Sequence, residues 1–356
     1  MNSLRDTSLE SNPYLKINFD GGDLSSDAGL LLIKEFAEKI GLFKLVYRLF
    51  KTNDPALFRF HIDPENLLQM IYQTIGAYFE DDCADGYHPL LCFDGITGDL
   101  LKLELRDGTH YCSKGADKFM IPLMQEFRTK HPSLPLYLRG DSGFASPELY
   151  DACEDNDCKY AIRLKINKTL IAFAEDKAEA LRRATMRNMV DYAVTYGEFM
   201  YQANTWKHPR RVVFKIEKPQ NQMTFMYTFI VTNMESEPYK VIQFYCGRGK
   251  MENFIKEGKD GFDFSAVSIR SKIVNANLLR LHALAYNLFN WFRRLALAAN
   301  MRKLRIDTVK LKLMKIAARA VHSARYTTFK LCSSCPYKDE FYETLQNIRG
   351  LQPQME

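Results

Sequence analysis

The sequence predicts an α/β fold, and three features of the chain indicate it. Residues 88–166 read in order as a β-hairpin, a helix, a strand, a helix and a strand, an alternation typical of α/β domains. Residues 191–244 are rich in aromatic and β-branched side chains, as expected of strands. Apolar residues recur at helical spacing on either side, in residues 1–82 and 245–300.

Residues 1–82 are predicted to be helical. The first helix would be capped by Ser25 or Ser26 and would stop at Gly41, because glycine commonly ends helices. The second would open at Asp63-Pro64-Glu65, with proline at its first turn, and continue to Phe79.

The central elements follow from short apolar runs and turn residues. His88–Asp94 and Asp99–Leu105 flank a Gly-containing turn, which predicts a hairpin. The next predicted elements are a helix over Lys114–Thr129, a strand over Leu134–Leu138, a helix from Ser146-Pro147-Glu148 and a strand over Lys159–Ile166. Strands are then predicted over Tyr192–Gln202, Arg211–Glu217 and Phe225–Thr232, and helices over Gln243–Glu257 and Arg270–Ala299.

Composition excludes several classes of protein. The 356 residues are 46% hydrophobic and 26% charged, with eight Cys, so a disordered chain or a disulfide-stapled miniprotein is excluded. The most apolar stretch, Leu281–Ala299, is too polar to span a membrane. It is interrupted by Asn287, Asn290, Arg293 and Arg294. Residues 1–18 carry no apolar signal core, so we expect a cytoplasmic protein with free thiols and no membrane partner.

Positive charge is concentrated near the C-terminus. The net charge is +6, and residues 302–330 contain nine Lys and Arg against one acid, Asp307. The remainder of the chain is slightly acidic. This distribution favours a polyanionic partner, with nucleic acid as the first candidate, and a solvated helix face is the alternative.

The segment Leu138–Phe144 is the first candidate for a functional site. Its Asp141 follows an apolar strand, lies between Gly140 and Gly143, and precedes a capped helix. Ligands of open α/β sheets bind at the carboxyl ends of strands, which favours a functional acid. A structural turn is the alternative, because Asp-Ser-Gly is common in loops.

Four polar residues with helical spacing form the second candidate. On one continuous helix, Tyr245, Arg248, Glu252 and Lys259 would lie within an arc of about 60°. An acid between two cations suits phosphate chemistry, since the acid can hold a divalent cation and the cations can hold phosphate oxygens. A surface ion-pair ladder is the alternative reading.

Together these motifs resemble the DDE transposases of bacterial insertion sequences, in the branch with a Tyr-Arg-Glu-Lys signature. Tyr245, Arg248, Glu252 and Lys259 match that signature at every spacing, and Asp141 matches the family's second Asp. The resemblance covers nearly the whole chain.

The resemblance implies an RNase H-like mixed sheet flanked by helices, a β-rich insertion and a helical N-terminal region. Two Asp and one Glu would hold two Mg²⁺ (or Mn²⁺) ions about 4 Å apart. Asp141 and Glu252 would be catalytic metal ligands. The residues implied to contact DNA are Arg139, Tyr245, Arg248, Lys259 and, as a possible stacking platform or simply a packed aromatic, Trp206.

The family's first Asp has no counterpart in this sequence. It belongs on the first strand, upstream of the hairpin, but here the predicted helix runs through Asp85 directly into Gly86. We interpret the junction as an internal deletion that removed the first strand and its carboxylate. Asp94 matches a turn residue of the hairpin. The remaining nearby acids could be recruited, but nothing positions them: Asp81, Asp82 and Asp85.

These interpretations divide the chain into regions. Residues 1–82 are expected to be helical and to bind DNA, 86–190 and 245–300 to form a catalytic core without its first strand, 191–244 to form a β-rich insertion, and 301–356 to form a basic C-terminal region.

The resemblance implies DNA transposition by a homo-oligomer that binds the terminal inverted repeats of its element, then cleaves and joins DNA. Without the first Asp, this copy is expected to be catalytically defective. Two alternatives remain, a non-catalytic DNA-binding remnant that inhibits active transposase, and a metal-dependent nuclease with rearranged acids. A Gly-Lys-Ser/Thr phosphate loop is absent from the sequence, so no nucleotide cofactor is expected.

The cysteines give a weaker signal. Cys332-x2-Cys335 is half of a zinc pattern, and Cys153-x4-Cys158 could supply the other half. Buried or free thiols are the alternative for all four residues.

Overall fold

The structure is a computed structural model, and it describes most of the chain. The described residues are 7–19, 27–52, 61–76, 87, 89–108, 111, 113–188, 191–220, 222, 224–264, 271–323 and 325–352. The junction Asp85–Gly86, Asp81, Asp82 and Phe79 lie outside them.

Helices and strands alternate along the described chain. The helices are α1 Leu30–Lys39, α2 Leu42–Leu49, α3 Asp63–Gly76, α4 Ala116–Lys130, α5 Pro147–Asp155, α6 Lys168–Phe173, α7 Glu175–Asn188, α8 Pro238–Cys246, α9 Gly249–Phe262, α10 Lys272–Leu295, α11 Ile306–Val309 and α12 Lys338–Gly350. The strands are β1 Thr7–Ser8, β2 Leu15–Asn18, β3 Leu90–Phe93, β4 Leu100–Glu104, β5 Leu136–Gly140, β6 Cys158–Arg163, β7 Ala193–Tyr201, β8 Arg210–Lys218, β9 Met226–Thr232, β10 Ala318–His322 and β11 Thr327–Leu331. The predicted mixed α/β class is confirmed.

The helices and strands are divided between two compact units. The terminal unit comprises Met1–Asp85, Thr97–Leu101 and Asn253–Glu356, and the central unit comprises Gly86–Ile96 and Lys102–Glu252. Each unit has its own main sheet, and each is described separately below.

The terminal unit joins both ends of the chain in one sheet of order β1-β2-β11-β10. Strand β2 runs parallel to β11, with Ile17 opposite Phe329. Aromatic edge contacts of Phe19 with Phe341 and of Phe36 with Phe292 fill the core below. The four strands of this sheet were not predicted. The parallel pair of β2 with β11 joins residues more than 300 positions apart and leaves no local pattern in the sequence.

Polar residues of α10 hold the turn of the β3–β4 hairpin. Asn287 pairs with both the amide and the carbonyl of Leu100, and Tyr286 donates to the Gly98 carbonyl. Arg294 binds Asp99 through both terminal nitrogens, at 2.7 and 2.9 Å. Three of the four polar side chains that interrupt the apolar stretch, those of Asn287, Asn290 and Arg294, therefore hold this turn against α10.

The central unit is built on a five-stranded sheet of order β5-β6-β9-β8-β7. Strands β5 and β6 are parallel, whereas β9, β8 and β7 extend the sheet in antiparallel fashion. The region predicted as a β-rich insertion thus supplies three strands to the same sheet. Strand β5 lies at an edge of it, and β3 and β4 form a separate two-stranded sheet.

Several boundaries differ from the sequence predictions. The single helix predicted over Gln243–Glu257 is wrong, because α8 ends at Cys246 and α9 begins at Gly249. Glycines at positions 247 and 249 disfavour a continuous helix there. The N-cap position of α1 is Gly29, and the predicted caps Ser25 and Ser26 lie outside the described residues. The start predicted for α5 is confirmed, since the Ser146 hydroxyl accepts a hydrogen bond from the Leu149 amide.

Among the described residues, no helix combines the length and the apolarity that crossing a bilayer requires.

Candidate active site

Asp141 stands at the carboxyl end of β5, where the sequence predicted a functional acid. A single 3₁₀ turn, Ser142–Phe144, follows it, and one Asp141 carboxylate oxygen accepts a hydrogen bond of 2.8 Å from the Gly143 amide. Asp141 therefore caps the turn, the structural role that the sequence left open. The second carboxylate oxygen, Oδ2, accepts a hydrogen bond from Arg248.

Arg248 joins Asp141 to Glu252. It lies in the break between α8 and α9, and its Nη2 donates to Asp141 Oδ2 at 2.9 Å. Its Nη1 donates to Glu252 Oε1 at 3.1 Å. Two carboxylates that are far apart in the sequence thus bind the two terminal nitrogens of one guanidinium group.

Exposure differs among the three side chains of this group. Relative exposure rises from 25% for Arg248 to 38% for Asp141 and 66% for Glu252. The Arg248 Nε is buried and has no hydrogen-bond partner in the described structure. Exposed ion pairs contribute little to stability. The group therefore holds the two carboxylates in position more than it stabilises the fold.

The carboxylate oxygens of Asp141 and Glu252, as the structure describes them, do not fit a centre that holds two divalent metal ions. Arg248 places positive charge between the two acids, and the other Asp141 oxygen is bound to Gly143. Within the described residues, no group of three or more His, Cys, Asp or Glu could hold a metal ion. Asp94 lies in the hairpin turn, where its carboxylate accepts a hydrogen bond from the Ile96 amide at 2.7 Å, as predicted for a turn residue.

The comparison with known families agrees with the motif-based resemblance. The family model described as transposase DDE domain group 1 matches residues 7–86 and 83–353. The chain belongs to this family. A role in DNA transposition and an RNase H-like α/β fold follow from that membership, and DDE transposases usually use a divalent metal. No curated protein matches the chain.

The remaining signature residues of this transposase occupy different environments. Tyr245 is 8% exposed and packs in the core with Val213 and Ile230. Burial raises the pKa of its hydroxyl, partly opposed by the nearby Arg248 and Arg163. Lys259 is exposed on α9, within the range of the terminal unit. Their predicted contacts with DNA stay predictions.

Arg139 is held inside the central unit of the transposase. It donates to the Phe244 carbonyl at 3.0 Å, and its guanidinium lies 4.9 Å from the centre of the Phe244 ring. A Cβ at Gly95 or Gly247 would collide with this guanidinium, so both glycines make room for it. Burial lowers the pKa of Arg139. It links β5 to the end of α8, a clamping role that the sequence did not indicate.

Trp206 packs as a core aromatic, which is one of the two roles that the sequence left open. It is 8% exposed and makes edge contacts with Tyr150 and Tyr201. The buried Arg210 lies against it and pairs with Glu154 at 2.8 Å. The pairing of Arg210 with Glu154 could not be predicted, because the sequence shows only that both residues are charged.

The four cysteines of the possible zinc pattern are free thiols. Cys153 and Cys158 are buried in the central unit, and their mutual hydrogen bond and burial keep the pKa of Cys153 above its usual range. Cys332 and Cys335 are half-buried in the terminal unit. These placements fit the alternative of buried or free thiols.

Proposed function

We propose that this transposase-family chain binds the DNA ends of its element but does not cleave them by itself. The observation that carries the proposal is the meeting of Asp141 and Glu252 on one guanidinium. Their proximity supports a common catalytic ancestry for the pair. The absence of the family's first Asp supports the loss of metal-dependent chemistry, and the two remaining acids are both bonded to Arg248, at 2.9 and 3.1 Å.

Two further observations support a deletion of the first strand. The family match falls into two segments that meet at residues 83–86, where we infer that Asp85 was joined to Gly86. Loss of a central strand would leave a sheet edge, and β5, which leads to Asp141, is an edge strand while the β3–β4 hairpin forms its own sheet. Two carboxylates without the third hold Mg²⁺ or Mn²⁺ weakly, because Mg²⁺ demands nearly octahedral oxygen ligands.

Binding to DNA is supported by charge. The terminal unit carries the basic residues 302–330, and Lys259 is exposed in the same unit. We infer that a homo-oligomer of this chain binds the terminal inverted repeats. In that complex, Lys259 would contact a DNA phosphate. Arg248 would contact phosphate only after releasing a carboxylate.

A cleavage assay tests the proposal. A labelled duplex carrying the terminal repeat is incubated with the purified chain in Mg²⁺ or Mn²⁺, and both binding and nicking are followed. We expect binding without nicking. The variants Asp141→Asn and Glu252→Gln should bind as the wild type does. Metal-dependent nicking that Asp141→Asn abolishes would contradict the defect and favour an active transposase or a nuclease with rearranged acids.

A chain that binds without cleaving would compete with active copies for the same ends. We therefore propose inhibition as the biological consequence. Added in excess to an active family member on the same repeats, it should slow cleavage. Unchanged cleavage at saturating concentrations would exclude the inhibitory role.

A further inference from the structure

The hairpin β10–β11 and its neighbour β2 form a basic sheet face at one side of the terminal unit. Residues 308–338, which contain the hairpin, include no Asp or Glu. Strand β10 is the edge of its sheet. We call this surface the basic face and define it by Lys16, Arg319, Arg325 and Lys330.

Register places three of these cations on one side of the sheet. Arg319 lies directly opposite Lys330, and Thr328, two residues before Lys330, lies opposite Lys16. Side chains two residues apart in a strand share a face, so the three cations face the same way. The alternate residues Ile17 and Leu331 are fully buried, which assigns the other face to the core.

Aromatic side chains border the basic face. The Lys16 ammonium lies 4.1 Å from the centre of the Tyr326 ring, and the Tyr14 and Tyr326 rings are 6.4 Å apart. Tyr14 is 65% exposed and Tyr326 is 38% exposed. Both can donate a phenolic hydrogen bond outward.

Arg319 and Lys330 place like charges directly opposite each other on the sheet, which is a destabilising arrangement. Arg319 and Arg325 are exposed and form no ion pair with any residue that the structure describes. A polyanion would neutralise them.

We propose that the basic face grips the phosphate backbone of duplex DNA without reading its sequence. The proposal rests on DNA being the partner, as proposed above, and assigns that contact to a surface in the other unit from Asp141. Arg, Lys and Tyr side chains are donors to phosphate oxygens, and contacts of this kind carry no sequence information. The face offers cations and phenols instead of the apolar surface that membrane insertion requires.

Salt dependence of binding distinguishes this contact from a general effect of charge. The affinity for a labelled duplex of unrelated sequence is measured over a salt series by fluorescence anisotropy, for the full chain and for Arg319→Gln/Arg325→Gln. Each phosphate contact contributes about one unit to the slope of log affinity against log salt. The double variant should therefore lose about two units of slope and at least tenfold in affinity near 0.15 M salt.

A matched control variant is Lys118→Gln/Lys177→Gln. It removes the same net charge from exposed positions on α4 and α7 of the central unit. We expect it to keep the wild-type slope. Equal melting temperatures for the three proteins show that folding is unchanged.

Three outcomes overturn the proposal. The first is an unchanged slope in the Arg319/Arg325 variant, and the second is an equal loss in the Lys118/Lys177 control. The third is binding to phosphatidylserine vesicles that the Arg319/Arg325 substitutions abolish while duplex binding persists. Failure of the wild type to bind any duplex would instead contradict the proposed function itself, so the two failures can be told apart.

Discussion

Arg248 decides what the pair of acids can do. A guanidinium that bonds two carboxylates offsets part of their charge and occupies one oxygen of each, whereas a divalent ion would need the same oxygens free. The contacts are hydrogen-bonded ion pairs in a partly exposed place, so a ligand of higher charge could compete with them. The chemistry of the site thus depends on one cation more than on either acid.

Replacing Arg248 by Gln should therefore favour metal binding. With its positive charge gone, Asp141 and Glu252 repel each other, and a divalent ion relieves that repulsion. We expect Mn²⁺ to bind roughly tenfold more tightly to Arg248→Gln, equivalent to about 1.4 kcal/mol, as measured by calorimetric titration. The double variant Arg248→Gln/Asp141→Asn is the control and should lose the gain. Equal Mn²⁺ affinity in the wild type and Arg248→Gln would show that the guanidinium does not block the acids.

Lys310 makes stability depend on pH. It is fully buried, donates to the Gly261 carbonyl at 2.8 Å, and burial lowers its pKa from 10.5 to about 8. Between these two values the unfolded chain binds a proton that the folded chain has released, so the free energy of unfolding rises with pH. Below pH 8 both states are protonated and the contribution is constant.

Urea unfolding at pH 7.5 and 9.5 measures this contribution. Relative to Lys310→Met, the wild type should become more stable by about 2 kcal/mol between the two pH values. The exposed Lys303 provides the control, since Lys303→Met should leave the pH dependence of the wild type unchanged. A constant difference between wild type and Lys310→Met would mean that Lys310 keeps an ordinary pKa.

At the scale of elements, a close backbone contact joins α1 to the π-helical turn Lys310–Met314. The amides of Ala28 and Gly29 donate to the carbonyls of Ile316 and Met314, each at 3.1 Å. A Cβ at Gly29 would overlap the Leu313 carbonyl oxygen. Because the obstacle is backbone, it cannot move aside as a flexible side chain could.

Gly29→Ala should accordingly destabilise the protein. Forced overpacking usually costs 1–3 kcal/mol, and we expect about 3 kcal/mol because both hydrogen bonds would also lengthen. Urea unfolding measures the loss. Gly350→Ala serves as the control, since a Cβ at the end of α12 meets nothing within 4 Å. Equal stability of the two variants would show that α1 and the turn separate easily.

Elements with strong local signals were predictable from the sequence. The apolar stripe of α10, the Ser146-Pro147 start of α5 and the hairpin turn at Asp94 are each specified within a few residues. Spacing also predicted that Arg248 and Glu252 lie close together. The bond from Arg248 to Asp141 was not predictable, because it depends on the break between α8 and α9 and on sheet packing. The clamp made by Arg139 depends on the same break.

At the scale of the whole molecule, pairing between distant residues sets the architecture. Strand β2 near the N-terminus pairs with β11 near the C-terminus. The basic residues 302–330 therefore belong to the same unit as the N-terminal helices. The predicted division into a separate helical N-terminal region and a basic C-terminal region followed sequence order. Folding instead combines the two in one sheet and one core.

Restoring the missing segment tests the deletion at this scale. A longer family member should carry a strand ending in Asp between the positions of Asp85 and Gly86, and that segment can be inserted here. A central strand would cover the free edge of β5 and bury apolar surface, which we expect to raise the melting temperature by about 5 °C or more.

The restored strand would also bring a third carboxylate to Asp141 and Glu252. Mg²⁺ should therefore raise the melting temperature of the restored chain further but not that of the present chain. A Gly-Ser segment of equal length is the control and should do neither. If the restored chain melts no higher than this control and ignores Mg²⁺, then β5 is a natural edge, and the absence of the first Asp has another origin.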